Sequence, residues 1–497
     1  MDKNVKSLSM KKNIIFSWII QILTYIIPLV TAPYIARVLT PNGVGQFSFA
    51  NSITQYFVLV IAFGMVDYGT HKIAMKRHDQ DYVRGEFWSI FFSRLFIYVF
   101  ATLVFFILLL TWGYDQEIDK RLFLILGLGL LNSALDLTFF YRGMENFRVV
   151  SIANIIAKIL FLIGLFVFVK SESDLLLYGI ITVSTTFVAN VIMIVIAIKT
   201  IGPIRFEKKK IVSCYKESFF YFLPTIATSV ISILDITVLG YMASKTEVGY
   251  YEEANKLINI ISAVPLAVCP IIISRITKLK AEGNEEQIEQ KFVQLFNLYA
   301  LITFPAFLGI IAVNRYLIPI FFGDEYMKTI DVLYWLSPLL LCVPFSYSLC
   351  CAYYIPNNKI NYITIFQFLT SGLNLVANIL ILKFTDLGAV GVAITSFPSA
   401  ILMLALTLVF SWKHIYPNKI FKSMIKPLIA AAIMFGAIFL VDFFIKSHLK
   451  GGYILIIEVV TGVIVYGISV LLLKDKIVMQ VLSGLKNRLH HKEEVSE

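Results

Sequence analysis

Apolar residues in this chain fall in long runs, not in alternation with polar ones. Runs of roughly 20 residues follow one another with short polar stretches between them, and about 20 helical residues are what a hydrocarbon core of about 30 Å requires. Backbone groups left unpaired in lipid are costly, so each run is expected as a helix. The pattern predicts about 14 crossings, at 14–36, 46–66, 87–112, 120–141, 149–169, 175–198, 217–242, 254–274, 292–313, 329–354, 360–382, 387–412, 423–445 and 452–473. The eighth is the least regular, with Glu253, Asn255, Lys256 and Asn259 in its first turns. The expected class is therefore all-α, a polytopic membrane protein.

Composition agrees. The 497 residues are 58% hydrophobic and only 15% charged, below the quarter usual in soluble proteins. Mean hydropathy is +0.79. The net charge of +11 points away from nucleic acid once its distribution is read. With the N-terminus inside, about 30 of the 43 basic residues fall on inside segments, about 10 outside and about 3 within spans. That bias supports the span count and predicts that both termini are cytoplasmic. The N-terminal apolar run is too long for a cleavable signal, and no small-residue cleavage site follows it. The five cysteines lie in or beside spans without ligand spacing, and are expected as apolar fillers.

Connections between spans reach only about 20 residues, which leaves no room for a soluble catalytic domain. The chain has no GxxxxGK[ST] cradle and no HExxH helix. A non-enzyme with no metal site and no bound cofactor is expected.

One motif recurs. Residues 44–51 read VGQFSFAN and residues 248–255 read VGYYEEAN, matching at Val44/Val248, Gly45/Gly249, Ala50/Ala254 and Asn51/Asn255. Each copy follows a span and opens the next. Gly45 and Gly249 stand where a chain leaves a turn and enters a helix, a place for positive φ or close helix contact. Asn51 and Asn255 lie nearly two turns further on. Six spans separate the copies, an even number, so both enter the membrane from the same side as parallel repeats. A weaker echo joins YRGMENFRVVSIAN (141–154) to YIPNNKINYITIFQ (354–367). Expected, then, are two six-helix lobes, 1–216 and 217–412, followed by two extra helices and a basic cytoplasmic tail at 413–497. Two lobes facing one another suit a transporter that opens alternately to either side.

The stretches PYIARVLTPNGVGQFSFANSI, FGMVDYGTHKIA, YRGMENFRVVSIANIIAKI and LDITVLGYMASKTEVGYYEEANKLI resemble the Wzx flippases, polysaccharide exporters of the multidrug/oligosaccharidyl-lipid/polysaccharide superfamily. The resemblance covers most of 10–415. It implies 12 to 14 spans in two lobes and movement of undecaprenyl-diphosphate-linked oligosaccharide from the cytoplasmic to the outer leaflet, for capsule, exopolysaccharide or O-antigen-type polymer. Its implied partners are that lipid-linked substrate, membrane lipids, and the polymerase and glycosyltransferases of the same pathway. Cation-coupled drug antiporters of the toxin-extrusion branch and lipid II flippases share the architecture and remain alternatives.

Charges inside spans are functional candidates by default. A diphosphate calls for cations, and Arg94 (span 3) and Lys158 (span 5) are the expected ligands, with Arg37 and Arg142 at the mouths. Arg94 has a competing reading, a pair with Asp136. Asp235, Asp136, Glu253 and Lys256 are candidates for proton or sodium coupling, or are counter-ions of one another. Asn154, Asn190, Asn374 and Asn378 are expected as interhelical glue.

Overall fold

The computed structural model describes residues 10–111, 119–445, 451–480 and Ser483. The acidic loop at 115–118 and the basic tail beyond 483 lie outside them. Among the described residues every regular element is helical. Two compact units divide the chain, Met1–Glu252 and Glu253–Glu497.

The first unit holds α1 (Met10–Ala62), α2 (Met65–Met75), α3 (Gln80–Thr111), α4 (Lys120–Leu128), α5 (Leu130–Leu135), α6 (Thr138–Gly143), α7 (Phe147–Phe168), α8 (Leu175–Ile201) and α9 (Lys208–Met242). Helix α10 (Lys245–Leu266) starts there and runs on past the division. The second unit continues with α11 (Cys269–Ala281), α12 (Glu285–Phe322), α13 (Thr329–Leu336), α14 (Leu339–Leu349), α15 (Ile360–Phe384), α16 (Ala389–Ser411), α17 (Pro417–Ile445) and α18 (Gly451–Leu472).

Among the described residues, 11 helical segments are long and apolar enough to cross a membrane. The first, Ile26–Met75, takes in the first two expected crossings. The seventh and eighth, α9 and α10, fall outside the 11. Helix α10 carries Lys245, Glu247, Glu252, Glu253 and Lys256 in its first half, which lowers its hydropathy. Large side chains such as Leu110, Phe100, Phe439 and Val463 are exposed along these helices, as expected of a surface solvated by lipid.

Local chemistry explains where the helices break. Thr40 has φ 60° and ψ 169°, a conformation that β-branched residues avoid. Pro41 follows it. A residue before proline is pushed out of the helical region, while proline itself is at home in a first helical turn. The PNG stretch at 41–43 is therefore the start of the next helical segment, and the break sits at Thr40 just before it. The Thr40 hydroxyl is fixed by a 3.0 Å hydrogen bond to Glu172 Oε1.

The units divide at Glu252/Glu253 and not at the expected 216/217, because α9 packs against α1, α2 and α3. The two extra helices, α17 and α18, pack on each other and on α12 within the second unit. The cysteines divide in two. Cys214, Cys342 and Cys350 are buried free thiols, whereas Cys269 and Cys351 are disulfide-bonded with Cα atoms 5.9 Å apart, which corrects the filler reading for that pair.

Each unit builds one span in pieces, the fourth of the chain and the tenth, and both end in the same turn. In the first, the Tyr141 hydroxyl donates to Met193 O at 2.6 Å, Glu145 has φ 55°, and Asn146 N donates to Tyr141 O at 2.8 Å. In the second, the Tyr354 hydroxyl donates to Thr407 O at 2.9 Å, Asn358 has φ 55°, and Lys359 N donates to Tyr354 O at 2.8 Å. The faint sequence echo between 141–154 and 354–367 is thus one piece of backbone engineering used twice.

Candidate functional site: charges inside the helical units

Arg94 is 1% exposed on α3. Its guanidinium donates to the carbonyls of Ser133 and Asp136, and Nη2 lies 3.7 Å from Asp136 Oδ2. These carbonyls stand where α5 ends and α6 has not begun. A helix C-terminus leaves carbonyls without donors, and at membrane depth no water replaces them. Arg94 supplies the donors. Asp136 completes the joint by accepting from Thr138 N at 2.9 Å and from the Thr138 hydroxyl. In this conformation both arms of Arg94 are committed to backbone and the guanidinium is closed off, while the Asp136 side chain stays partly exposed.

Lys158 differs. It is half-buried, and no hydrogen bond or ion pair holds it among the described residues. It sits 11 residues into α7, about 16 Å along the axis, too deep for its stem to reach either end. Ile152, Ile156, Ile159 and Ile163 make the exposed stripe of α7, at 38–54%. At 100° per residue Lys158 lies on the opposite side, with Ser151, Asn154 and Leu165. Its ammonium therefore points away from the apolar stripe.

Arg142 is exposed at the end of α6, and Arg37 is exposed on α1. Both are accessible, as residues at a mouth must be. The Asp235 carboxylate accepts from Tyr251 at 2.7 Å, and nearby Tyr56, Thr237 and Ser52 are linked by 3.1 Å hydrogen bonds. Glu253 is fully buried and accepts from Lys256 Nζ at 2.7 Å. Glu253 thus pairs with Lys256, whereas Asp235 is engaged by a tyrosine hydroxyl.

The repeat motif proves to be a contact. A Cβ added to Gly45 would land on the Lys245 carbonyl and 2.9 Å from Gly249 N, and one added to Gly249 would land on the Pro41 carbonyl. The two glycines let the backbones of α1 and α10 touch, so close approach, and not positive φ, is what they supply. Asn51 and Asn255 are half-buried one to two turns further on. Beside the glycines lies Lys245, 5% exposed, its Nζ 2.5 Å from Gly240 O and 4.1 Å from the Phe49 ring centroid. Its place between two helices gave no signal in the sequence. The glue reading holds for Asn190, which donates to Asn132 O on α5 at 3.1 Å, and for Asn378, whose Oδ1 accepts from the Thr395 hydroxyl of α16.

Two carboxylates escaped the sequence reading, Asp442 on α17 and Glu458 on α18. Glu458 stands alone in the apolar run LIIEVVTG, so the rule that singles out Arg94 singles it out as well.

Comparison with known proteins fits this picture. Over 417 residues the chain is 26% identical to an Escherichia coli (strain K12) protein named as an O-antigen transporter, covering 82% of this chain and 98% of that one. Its fold matches that of the lipid II flippase MurJ in an inward closed conformation, with TM-score 0.78 at 17% identity, over 93% of this chain and 100% of that one. An inward-facing multidrug resistance MATE family transporter of the MOP superfamily matches with TM-score 0.60 at 12% identity, over 80% and 99%. Residues 10–274 match the family described as polysaccharide biosynthesis protein, and the chain belongs to that family, as a multi-pass membrane protein.

Proposed function

We propose that this protein moves diphosphate-linked oligosaccharide on an undecaprenyl carrier from the cytoplasmic to the outer leaflet of a bacterial plasma membrane, by alternating access, with both termini in the cytoplasm. The observation that carries the reading is Lys158. A cation at mid-helix, turned from the apolar stripe and without an acidic partner among the described residues, is costly unless an anion visits it. A diphosphate is such an anion, and the ammonium offers it three donors. Arg142 and Arg37, exposed at helix ends, collect the same charge. Arg94 acts one step back, as a positioning residue that holds the broken fourth span in shape. The carrier tail stays in the bilayer, and the finished units pass to the polymerase of the same pathway.

Family membership supports the class, and the net positive set of accessible charges in the first unit speaks against a cationic drug as cargo. The test is complementation of a bacterial strain that lacks its own lipid-linked sugar exporter. Restored surface polymer, with no intermediate stranded on the inner leaflet, is the expected result. A drug-resistance phenotype without polymer, from protein present in the membrane, overturns the reading in favour of an antiporter.

A further inference from the structure

Glu458 is fully buried on α18, and neither carboxyl oxygen has a hydrogen-bond partner among the described residues. Helices α17 and α12 cover it. On α17, Ile438 Cδ1 lies 3.0 Å from where a Cβ on Gly462 would stand. The helices are antiparallel, so one turn along both brings Asp442 level with Glu458. Asp442 is the charged group that acts on Glu458. Asp442 itself accepts a 2.8 Å hydrogen bond from the Tyr316 hydroxyl of α12. Arg315, beside Tyr316, is exposed, as is Tyr453 on α18 itself. Deeper along α18, Tyr466 donates to Leu301 O at 2.8 Å.

Two carboxyl groups thus stand side by side in an apolar interface. The one nearer the helix ends has a donor, and the deeper one has none. An ionised carboxylate there would lack every donor its lone pairs need and would face a like charge, both of which favour the neutral acid. Sodium is a poor alternative occupant. It needs several oxygens, and Met434, Ile438 and Gly462 line the adjoining helix surface.

We propose that Glu458 is a proton-binding site of the second unit, held as the carboxylic acid, with Asp442 and Tyr316 as the polar groups through which its proton is exchanged. Any use of that proton in transport rests on the function proposed above; the site itself does not, and its test needs no substrate.

The full-length protein in detergent micelles is compared with E458Q by difference infrared spectroscopy. The expected result is loss of one protonated-carboxyl C=O band in E458Q, with no loss of carboxylate bands. Loss of carboxylate bands instead overturns the proposal. In parallel, the wild-type protein is treated with dicyclohexylcarbodiimide, which adds to carboxylic acids in apolar surroundings, and is mapped by mass spectrometry. An adduct on Glu458 is expected, falling several-fold as pH is raised and retained in the presence of sodium. Protection by sodium overturns the proposal by showing a metal-cation site. Equal labelling by a water-soluble carbodiimide overturns it by showing an exposed group. The labelling arm uses unaltered protein, so it decides the matter even where E458Q fails to fold.

Discussion

The two units solve one structural problem with different chemistry. The first breaks the fourth span of the chain and the second breaks the tenth, and each closes the break with a tyrosine that bonds to the backbone two spans on, Tyr141 to Met193 and Tyr354 to Thr407. In the first unit the break at Asp136 is braced by a buried arginine from α3. In the second the corresponding span breaks at Ser337 and Pro338, where proline removes a backbone donor and the Ser337 hydroxyl bonds to Tyr334 O at 2.8 Å. No arginine is needed there. Buried charge is then used differently: among the described residues, the first unit holds an unpaired lysine at mid-helix and the second an unpartnered glutamate.

This contrast can be broken at several points. Arg94→Ala removes the donors from two buried carbonyls and the partner from Asp136, and should cost about 3–5 kcal/mol. Its second-unit counterpart, Ser337→Ala, should cost only about 1 kcal/mol. Unfolding of the purified proteins in detergent measures both, and equal losses would remove the distinction between the two breaks. Gly45→Ala and Gly249→Ala force backbones apart at one contact, with an expected loss of about 1–3 kcal/mol each. Because both act on that contact, the double variant should lose less than the sum of the two. Full additivity in the same assay would mean that the contact is not shared. Tyr141→Phe and Tyr354→Phe should each lose about 1 kcal/mol, since each deletes one hydrogen bond of the same kind. A large loss from one and none from the other would end the equivalence of the two turns. Lys158→Ala is expected to leave the melting temperature unchanged or slightly raised, because it relieves a buried charge that nothing pairs.

Much of this was legible in the sequence. Hydropathy located the crossings other than the seventh and eighth, because apolar runs answer directly to the thickness of the bilayer. The repeat was legible because Gly45 and Gly249 meet a steric demand that no other residue meets. The division at Glu252/Glu253 was not, since it depends on which neighbours α9 packs against and not on any local pattern. Arg94 and Lys158 look alike along the chain, each a single cation in an apolar run. Only the broken backbone at 133–136 tells them apart, by giving Arg94 its partners. The disulfide between Cys269 and Cys351 joins residues 82 apart, a pairing that spacing cannot reveal. Glu458 was visible in LIIEVVTG, but its want of a donor is a property of three helices together.

The most direct test of the proposed function is transbilayer movement in vesicles holding only this protein, with a fluorescent lipid-linked diphosphate oligosaccharide as cargo. Wild-type protein should move the cargo and K158A should lose that activity, with K158R retaining part of it. Failure of folded wild-type protein to move the cargo, or full activity in K158A, would contradict the account.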